Sequence, residues 1–161
     1  YRVDKFTGLN SAEYLYGLGK HTVDKYPKST ICMFIINNIE EINEKYGRNV
    51  GTETIVKVAN TVKTSISSEY VFVRYMGPKF AIAFSGAEIE DSIDFITKMK
   101  QNIENIKIKV QTNKEKSLEI SPITNFVLGT YYKGTGLEEV TKKLESYLDN
   151  SDKSESEINC I

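Results

Sequence analysis

Residues 71–85 read VFVRYMGPKFAIAFS, and no other stretch constrains the fold as tightly. Two apolar runs flank Met76-Gly77-Pro78-Lys79, a spacing that predicts two antiparallel strands joined by a tight turn. Phe80, Ile82 and Phe84 alternate with Ala81 and Ala83. One sheet face is therefore bulky, and the other is flat enough for a helix to lie close. The hairpin is expected at the centre of the sheet with both faces covered. Gly77 at the first turn position and Pro78 at the second suit a type II′ turn, because glycine accepts a positive φ and proline fixes the next φ near −65°. This turn carries no carboxylate and few backbone donors, so on its own residues it is a connector.

The rest of the chain must supply a core around that hairpin. With 40% hydrophobic residues among 161, one globular domain has enough apolar surface to do so. The formal charge is −1, which argues against nucleic acid or an anionic membrane as partner. Cys32 sits in an apolar run and Cys160 near the end, a pattern of reduced thiols in a cytoplasmic domain rather than a disulfide framework. No apolar run reaches membrane-spanning length. The first residue is Tyr1 and no signal sequence is visible, so residues 1–161 are expected to be a single-domain fragment of a longer protein that could itself carry a membrane anchor.

In chain order, Asn10 with Glu13 has the form of a capping box opening a helix. Tyr14, Leu15, Leu18 and Val23 are its expected core face, and Pro27 its end. Residues 30–36 (TICMFII) form a continuous apolar run, the pattern of a strand buried on both faces, and are placed beside the hairpin. A short helix over 37–46 is stopped by Gly47, and Gly51-Thr52 opens a longer one with Ile55, Val58, Val62 and Ile66 as its stripe. Residues 88–106 carry the strongest helical pattern, with acids early and lysines late. Strands over 107–110 and 120–132 enclose a polar loop, 111–119. Thr135 and Glu138 make a second capping box for a helix with Leu137, Val140, Leu144 and Tyr147 inward. Residues 150–161 are a tail or linker, with 158–161 a candidate last strand. This order implies an α/β sandwich with a largely antiparallel central sheet.

Three segments then match a family in order and spacing: Asp4-Lys5-Phe6-Thr7-Gly8-Leu9; Ile42-Asn43-Glu44-Lys45-Tyr46-Gly47 with Gly51; and Arg74 through Ile82 around the turn. Together they resemble the landmark segments of the GGDEF domain of diguanylate cyclases, over essentially the whole chain. The resemblance implies a nucleotidyl-cyclase, palm-like sandwich that condenses two GTP into cyclic di-GMP, each protomer of a dimer holding one GTP with two magnesium ions. Magnesium needs hard oxygen ligands, so carboxylates are obligatory for that chemistry.

Aligned on those segments, the chain departs from the pattern. Ile35 stands where the family has the Asp that ends the first buried strand, and Pro78 where it has the acidic third signature residue. Lys79 replaces the second signature acid, and Met76 the first signature glycine. Gly77 is kept. Thr52 replaces the Asp that reads guanine, while its partner is kept as Asn43. The family's basic phosphate-holding pair falls at about Asn150 and Ser154, and its product-inhibition motif at Ser67 and Tyr70. The resemblance therefore implies no catalytic residue at the degenerate positions Ile35, Met76, Gly77, Pro78 and Lys79. It implies no metal ligand and no cofactor, with magnesium and GTP needed only by an active enzyme.

Asn43 stays open between a nucleotide-binding residue and an ordinary polar residue on a helix. Gly47 and Gly51 are read as ending and opening helices. Asp4 and Arg74 are expected to form an ion pair tying the leading segment to the hairpin. His21, the only histidine, excludes a histidine dyad. Three readings remain: a catalytically silent regulatory or dimerisation domain of a cyclic di-GMP signalling protein, with a following phosphodiesterase domain as candidate partner; a guanine-nucleotide receptor without turnover; and an active cyclase with substituted ligands. Partners are accordingly other domains of the same polypeptide and a second copy, with no membrane contact by the domain itself.

Overall fold

The computed structural model describes residues 1–112, 114, 116–154 and 156–161. Asn113 and Glu115 of the expected polar loop and Glu155 of the expected tail lie outside them. A five-stranded sheet in the order β2-β3-β1-β6-β7 forms the middle layer. It is built from β1 (Lys28–Ile36), β2 (Val71–Met76), β3 (Lys79–Phe84), β6 (Thr124–Tyr132) and β7 (Ile158–Cys160). All neighbours are antiparallel except β6 and β7.

The apolar run 30–36 lies in the middle strand, β1. It is buried throughout because helices cover both of its faces. Phe34 pairs across the ladders with Phe80 and Phe126, its ring centroid 5.1 and 4.8 Å from theirs. Together with Ile82 and Phe84 these rings pack under α3 (Ile39–Tyr46), α4 (Arg48–Ser65) and α5 (Ile89–Glu104). On the opposite face Ala81 and Ala83 leave room for α6 (Leu137–Asp149) and for the first helical stretch. That stretch consists of α1 (Ala12–Tyr14), a π-turn over Leu15–Gly19 and α2 (Lys20–Val23).

Several expectations need correction. β2 is an edge strand, so the hairpin is not central, and only β3 is buried along its length. Asn10 does not cap a helix, because its backbone bridges Val3 and Val73 and its carbonyl accepts from Arg74 N–H at 3.0 Å. The helix starts after Ser11, without a side-chain cap. Leu18 is 53% exposed, since the π-turn inserts an extra residue and rotates the apolar face away from ideal helical spacing.

The second capping box is also absent. Thr135 Oγ1 donates to the Tyr132 carbonyl at 2.6 Å, and Gly136, with φ +96°, precedes α6. α4 begins at Arg48 rather than at Gly51. The 120–132 run is broken by Ser121-Pro122-Ile123, where proline lacks a ladder donor. β5 (Ser117–Ile120), placed within the loop by sequence, pairs with β4 (Ile108–Gln111) in a separate two-stranded sheet. The candidate last strand, by contrast, is present as β7 over residues 158–160, hydrogen-bonded to β6.

Candidate functional site

The β2–β3 turn is the natural centre of a site, because it projects from the sheet between α4 and α6 and carries the family-like positions. Gly77 has φ +55°, which glycine accepts without a Cβ clash. Arg74 Nε donates to the Gly77 carbonyl at 2.9 Å and Ile36 N–H to the Pro78 carbonyl at 3.0 Å. Both turn carbonyls are thus occupied, and Pro78 has no N–H to offer. Met76 is 67% exposed, so its side chain faces solvent.

Behind the turn, the leading segment is fixed by Asp4. Its carboxylate accepts from Thr7 N–H at 2.9 Å, Thr7 Oγ1 at 2.6 Å and Arg74 Nη1 at 3.0 Å. Burial alone would raise the Asp4 pKa, but the hydrogen bonds from Thr7 and the Arg74 guanidinium hold it below the ordinary carboxylate value. Asp4 and Arg74 therefore tie residues 4–9 to β2, with all three of these hydrogen bonds converging on Asp4 Oδ2.

Beneath the turn on the other side, Ile35 is 8% exposed and packs with Met33, Ala81 and Val127. It faces Lys79 and Asn125 across the ladders. Lys79 Nζ reaches α6, 2.8 Å from Glu145 Oε2 and 2.8 Å from Asp149 Oδ1. Partial burial pulls its pKa down, and the hydrogen bonds it donates to Asp149 and Glu145 outweigh this, leaving it above the ordinary lysine value. Glu145 and Asp149 lie one turn apart on one face of α6, a spacing legible in the sequence, but the partner 66 residues away was not. Asn150 and Ser154 offer no cation, and Ser154 folds onto Asp152 Oδ1 through its N–H at 2.9 Å and Oγ at 2.7 Å.

These residues do not fit a magnesium site. Ile35 and Pro78 supply no oxygen anion, Lys79 brings a cation, and the described residues contain no cluster of three metal-ligating side chains.

The flank toward α3 and α4 differs. A cavity of about 270 Å³ opens there, lined by Asn43, Arg48, Thr52, Arg74, Gly77 and Pro78 among others. Asn43 is half-buried on α3, and its Oδ1 is shut off from solvent with no hydrogen-bond partner among the described residues. It lies against Gly51, where an added Cβ would come within 1.8 Å of it. Gly51 is thus needed for close approach inside the first turn of α4, a role that sequence spacing did not separate from helix opening. Arg48 went unnoticed in the sequence. It makes no ion pair among the described residues and is the free cation of this pocket.

A single hydroxyl ladder, also unforeseen, links three elements on the opposite sheet face. Tyr16 OH lies 3.0 Å from Tyr75 OH and 2.5 Å from Thr141 Oγ1, and burial pushes its pKa up. No helix is long and apolar enough to cross a membrane among the described residues.

Comparison with known proteins bears on family and fold. The family described as "Diguanylate cyclase, GGDEF domain" matches residues 1–154. Among curated relatives, YtrP of Bacillus subtilis is 28% identical over 81 residues, covering 50% of this chain and 14% of YtrP. The diguanylate cyclase DosC of Escherichia coli is 27% identical over 93 residues, 57% of this chain and 20% of DosC. The chain thus spans a fifth or less of these proteins. In structure, the GGDEF domain of DgcB from Caulobacter crescentus, solved in complex with c-di-GMP, superposes with a TM-score of 0.86 at 13% identity. That match covers 98% of this chain and 94% of the DgcB domain, and it shows a shared fold. The chain belongs to the GGDEF domain family of diguanylate cyclases.

Proposed function

We propose that this domain is a catalytically silent GGDEF domain that serves as a regulatory or dimerisation module of a cyclic di-GMP signalling protein. The observation that carries this reading is Lys79. A residue that stands where the family has a signature acid is instead a cation, pinned to Glu145 and Asp149 on α6. Ile35 beneath it is buried among apolar side chains, so the position that would ligate a metal has become part of the core. Cyclisation needs a charged, pre-arranged site around the triphosphate and the attacking 3′-hydroxyl, and none of these residues supplies it. The module acts through contacts with other domains of its polypeptide in the cytoplasm, a phosphodiesterase domain being the candidate partner.

The test is incubation of the purified chain with GTP and magnesium or manganese, followed by chromatography for cyclic di-GMP. No product is expected. Product that disappears when a nearby acid such as Glu44 is replaced would establish an active cyclase with substituted ligands and overturn the proposal.

A second reading, a guanine-nucleotide receptor without turnover, is favoured by the pocket between α3 and α4. Arg48, which makes no ion pair among the described residues, can donate to an acceptor edge of a base, and Asn43, whose Oδ1 is turned against Gly51, can offer its amide N–H groups to the same cavity. Titration with GTP separates the two, since micromolar binding that is lost in Asn43→Ala would make the domain a receptor.

A further inference from the structure

A larger cavity, about 710 Å³, lies away from the turn, between α6 and the last strand. Its two ends carry opposite charge. At one end Ile161 meets Val140, Lys143 and Leu144 of α6 beside Gly129, and Lys142 lies next to Lys143. Neither lysine makes an ion pair among the described residues. At the other end are Asp152, whose carbonyl accepts from Asn125 Nδ2 at 3.4 Å, and Glu157, whose N–H donates to Asn125 Oδ1 at 2.8 Å. Between the ends the groove is floored by Tyr147 of α6.

The sheet is open along the same groove. β7 is the last strand in the order, with no partner on its outer side among the described residues. The Glu157 carbonyl accepts from Phe126 N–H and the Ile161 N–H donates to the Leu128 carbonyl, each at 2.9 Å. Backbone direction alternates along a strand, so residues 157, 159 and 161 face β6 and the N–H and C=O groups of Ile158 and Cys160 face outward. Such an edge is a template for another strand, and the Pro or Lys that usually blunts an edge is missing from residues 158–161.

We propose that this face is a two-fold interface in which a second copy of the chain pairs β7 with β7 antiparallel about Asn159 and lays its α6 groove against the first. One symmetry operation satisfies both features. With the axis perpendicular to the sheet, Ile158 of each copy exchanges hydrogen bonds with Cys160 of the other. Both α6 helices then lie antiparallel on the same face of a continuous sheet. The lysine end of each groove meets the acidic end of its partner, as a self-complementary isologous contact requires. The inference rests on the regulatory and dimerisation reading only for the interface's role. Cyclase and GTP assays test that reading and oligomeric state tests this surface, so the two can fail separately.

Sedimentation velocity under reducing conditions tests the interface. Wild type should dimerise reversibly in the micromolar range. The double variant Lys142→Glu/Lys143→Glu and the variant Asp152→Lys should each weaken the dimer by about tenfold or more, with circular dichroism unchanged because all three positions are exposed. Mixing the two reversed proteins should restore a heterodimer. Asn159 faces its own copy at a non-hydrogen-bonded pair, where Cβ atoms come within disulfide range. Asn159→Cys in a Cys160→Ser background should therefore cross-link to a covalent dimer under mild oxidation. A wild type that stays monomeric, or a dimer that resists both reversals and fails to cross-link, would overturn the proposal. The first result leaves the edge to a strand from another protein, and the second places the dimer on another surface.

Discussion

The two flanks of the β2–β3 turn have been settled in opposite ways. Toward α6 every charge is matched: Lys79 is held by Glu145 and Asp149, and Ile35 below is sealed in the core. Toward α3 and α4 polar groups are left over, with Asn43 Oδ1 and Arg48 finding no hydrogen-bond or ion-pair partner, respectively, among the described residues beside an open cavity. A matched, partly buried pair favours one conformation and leaves nothing for a ligand to do. An unmatched buried acceptor costs stability until something donates to it. The comparison teaches that one flank takes up its charges within the fold, while the other keeps a cation beside an open cavity.

The largest expected effect comes from forcing a charge back into the sealed flank. Ile35→Asp buries a carboxylate opposite a lysine already held by Glu145 and Asp149, and should lower unfolding stability by about 3 kcal/mol in urea titration. Ile35→Asp/Pro78→Asp should still make no cyclic di-GMP, because Lys79 and its two carboxylates are unchanged. Product from that double variant would mean the substrate site is otherwise intact.

Next is the anchor shared by both flanks. Asp4→Ala leaves the Arg74 guanidinium and two Thr7 donors without their acceptor and should cost about 2 kcal/mol. Because Asp4 is held below its ordinary value of 3.8, its contribution is present above that pH and is lost as pH falls through the folded-state value beneath it. Acid unfolding of Asp4→Asn should therefore be shallower than wild type, and an unchanged acid limb would show that Asp4 adds nothing to the fold.

Lys79→Met keeps the aliphatic stem and removes the cation. Asp149 is half-exposed, so the loss should be only about 1 kcal/mol. Lys79 titrates above its ordinary 10.5, so its contribution is complete below that pH and fades as pH rises through the higher folded-state value. Thermal melts compared at neutral and strongly alkaline pH should converge between wild type and variant at the alkaline end.

The smallest effect on stability separates the flanks most sharply. In Gly51→Ala the new Cβ displaces Asn43 Oδ1, a movable side-chain end, and the gain in helix propensity offsets the shift, so stability should stay within about 1 kcal/mol. Any GTP affinity seen by titration should nevertheless fall. If wild type binds GTP and Gly51→Ala binds equally well, the pocket is not where the nucleotide sits.

Local sequence determined a good deal. The strand 30–36, the hairpin turn at Gly77-Pro78 and the stripes of α4 and α5 follow from period and from glycine and proline chemistry, which act within a few residues. The three family-like segments placed the turn, Asn43 and the Asp4–Arg74 contact. Sequence misjudged what depends on competition for a group. Asn10 looked like a cap until its backbone was needed by β2, and Thr135 until its hydroxyl found Tyr132.

Other features were decided only in three dimensions. Glu145 and Asp149 were ordinary helix acids until the hairpin brought Lys79 to them from 66 residues away. Gly51 was a helix glycine until α3 laid Asn43 against it. Residues 158–160 were only a candidate strand until β6 offered its free edge. Hydrophobic periodicity and turn stereochemistry are written in neighbouring residues and can be read there. Ion-pair partners, close approaches and strand edges depend on which distant elements arrive side by side, and the packing of the whole chain sets that.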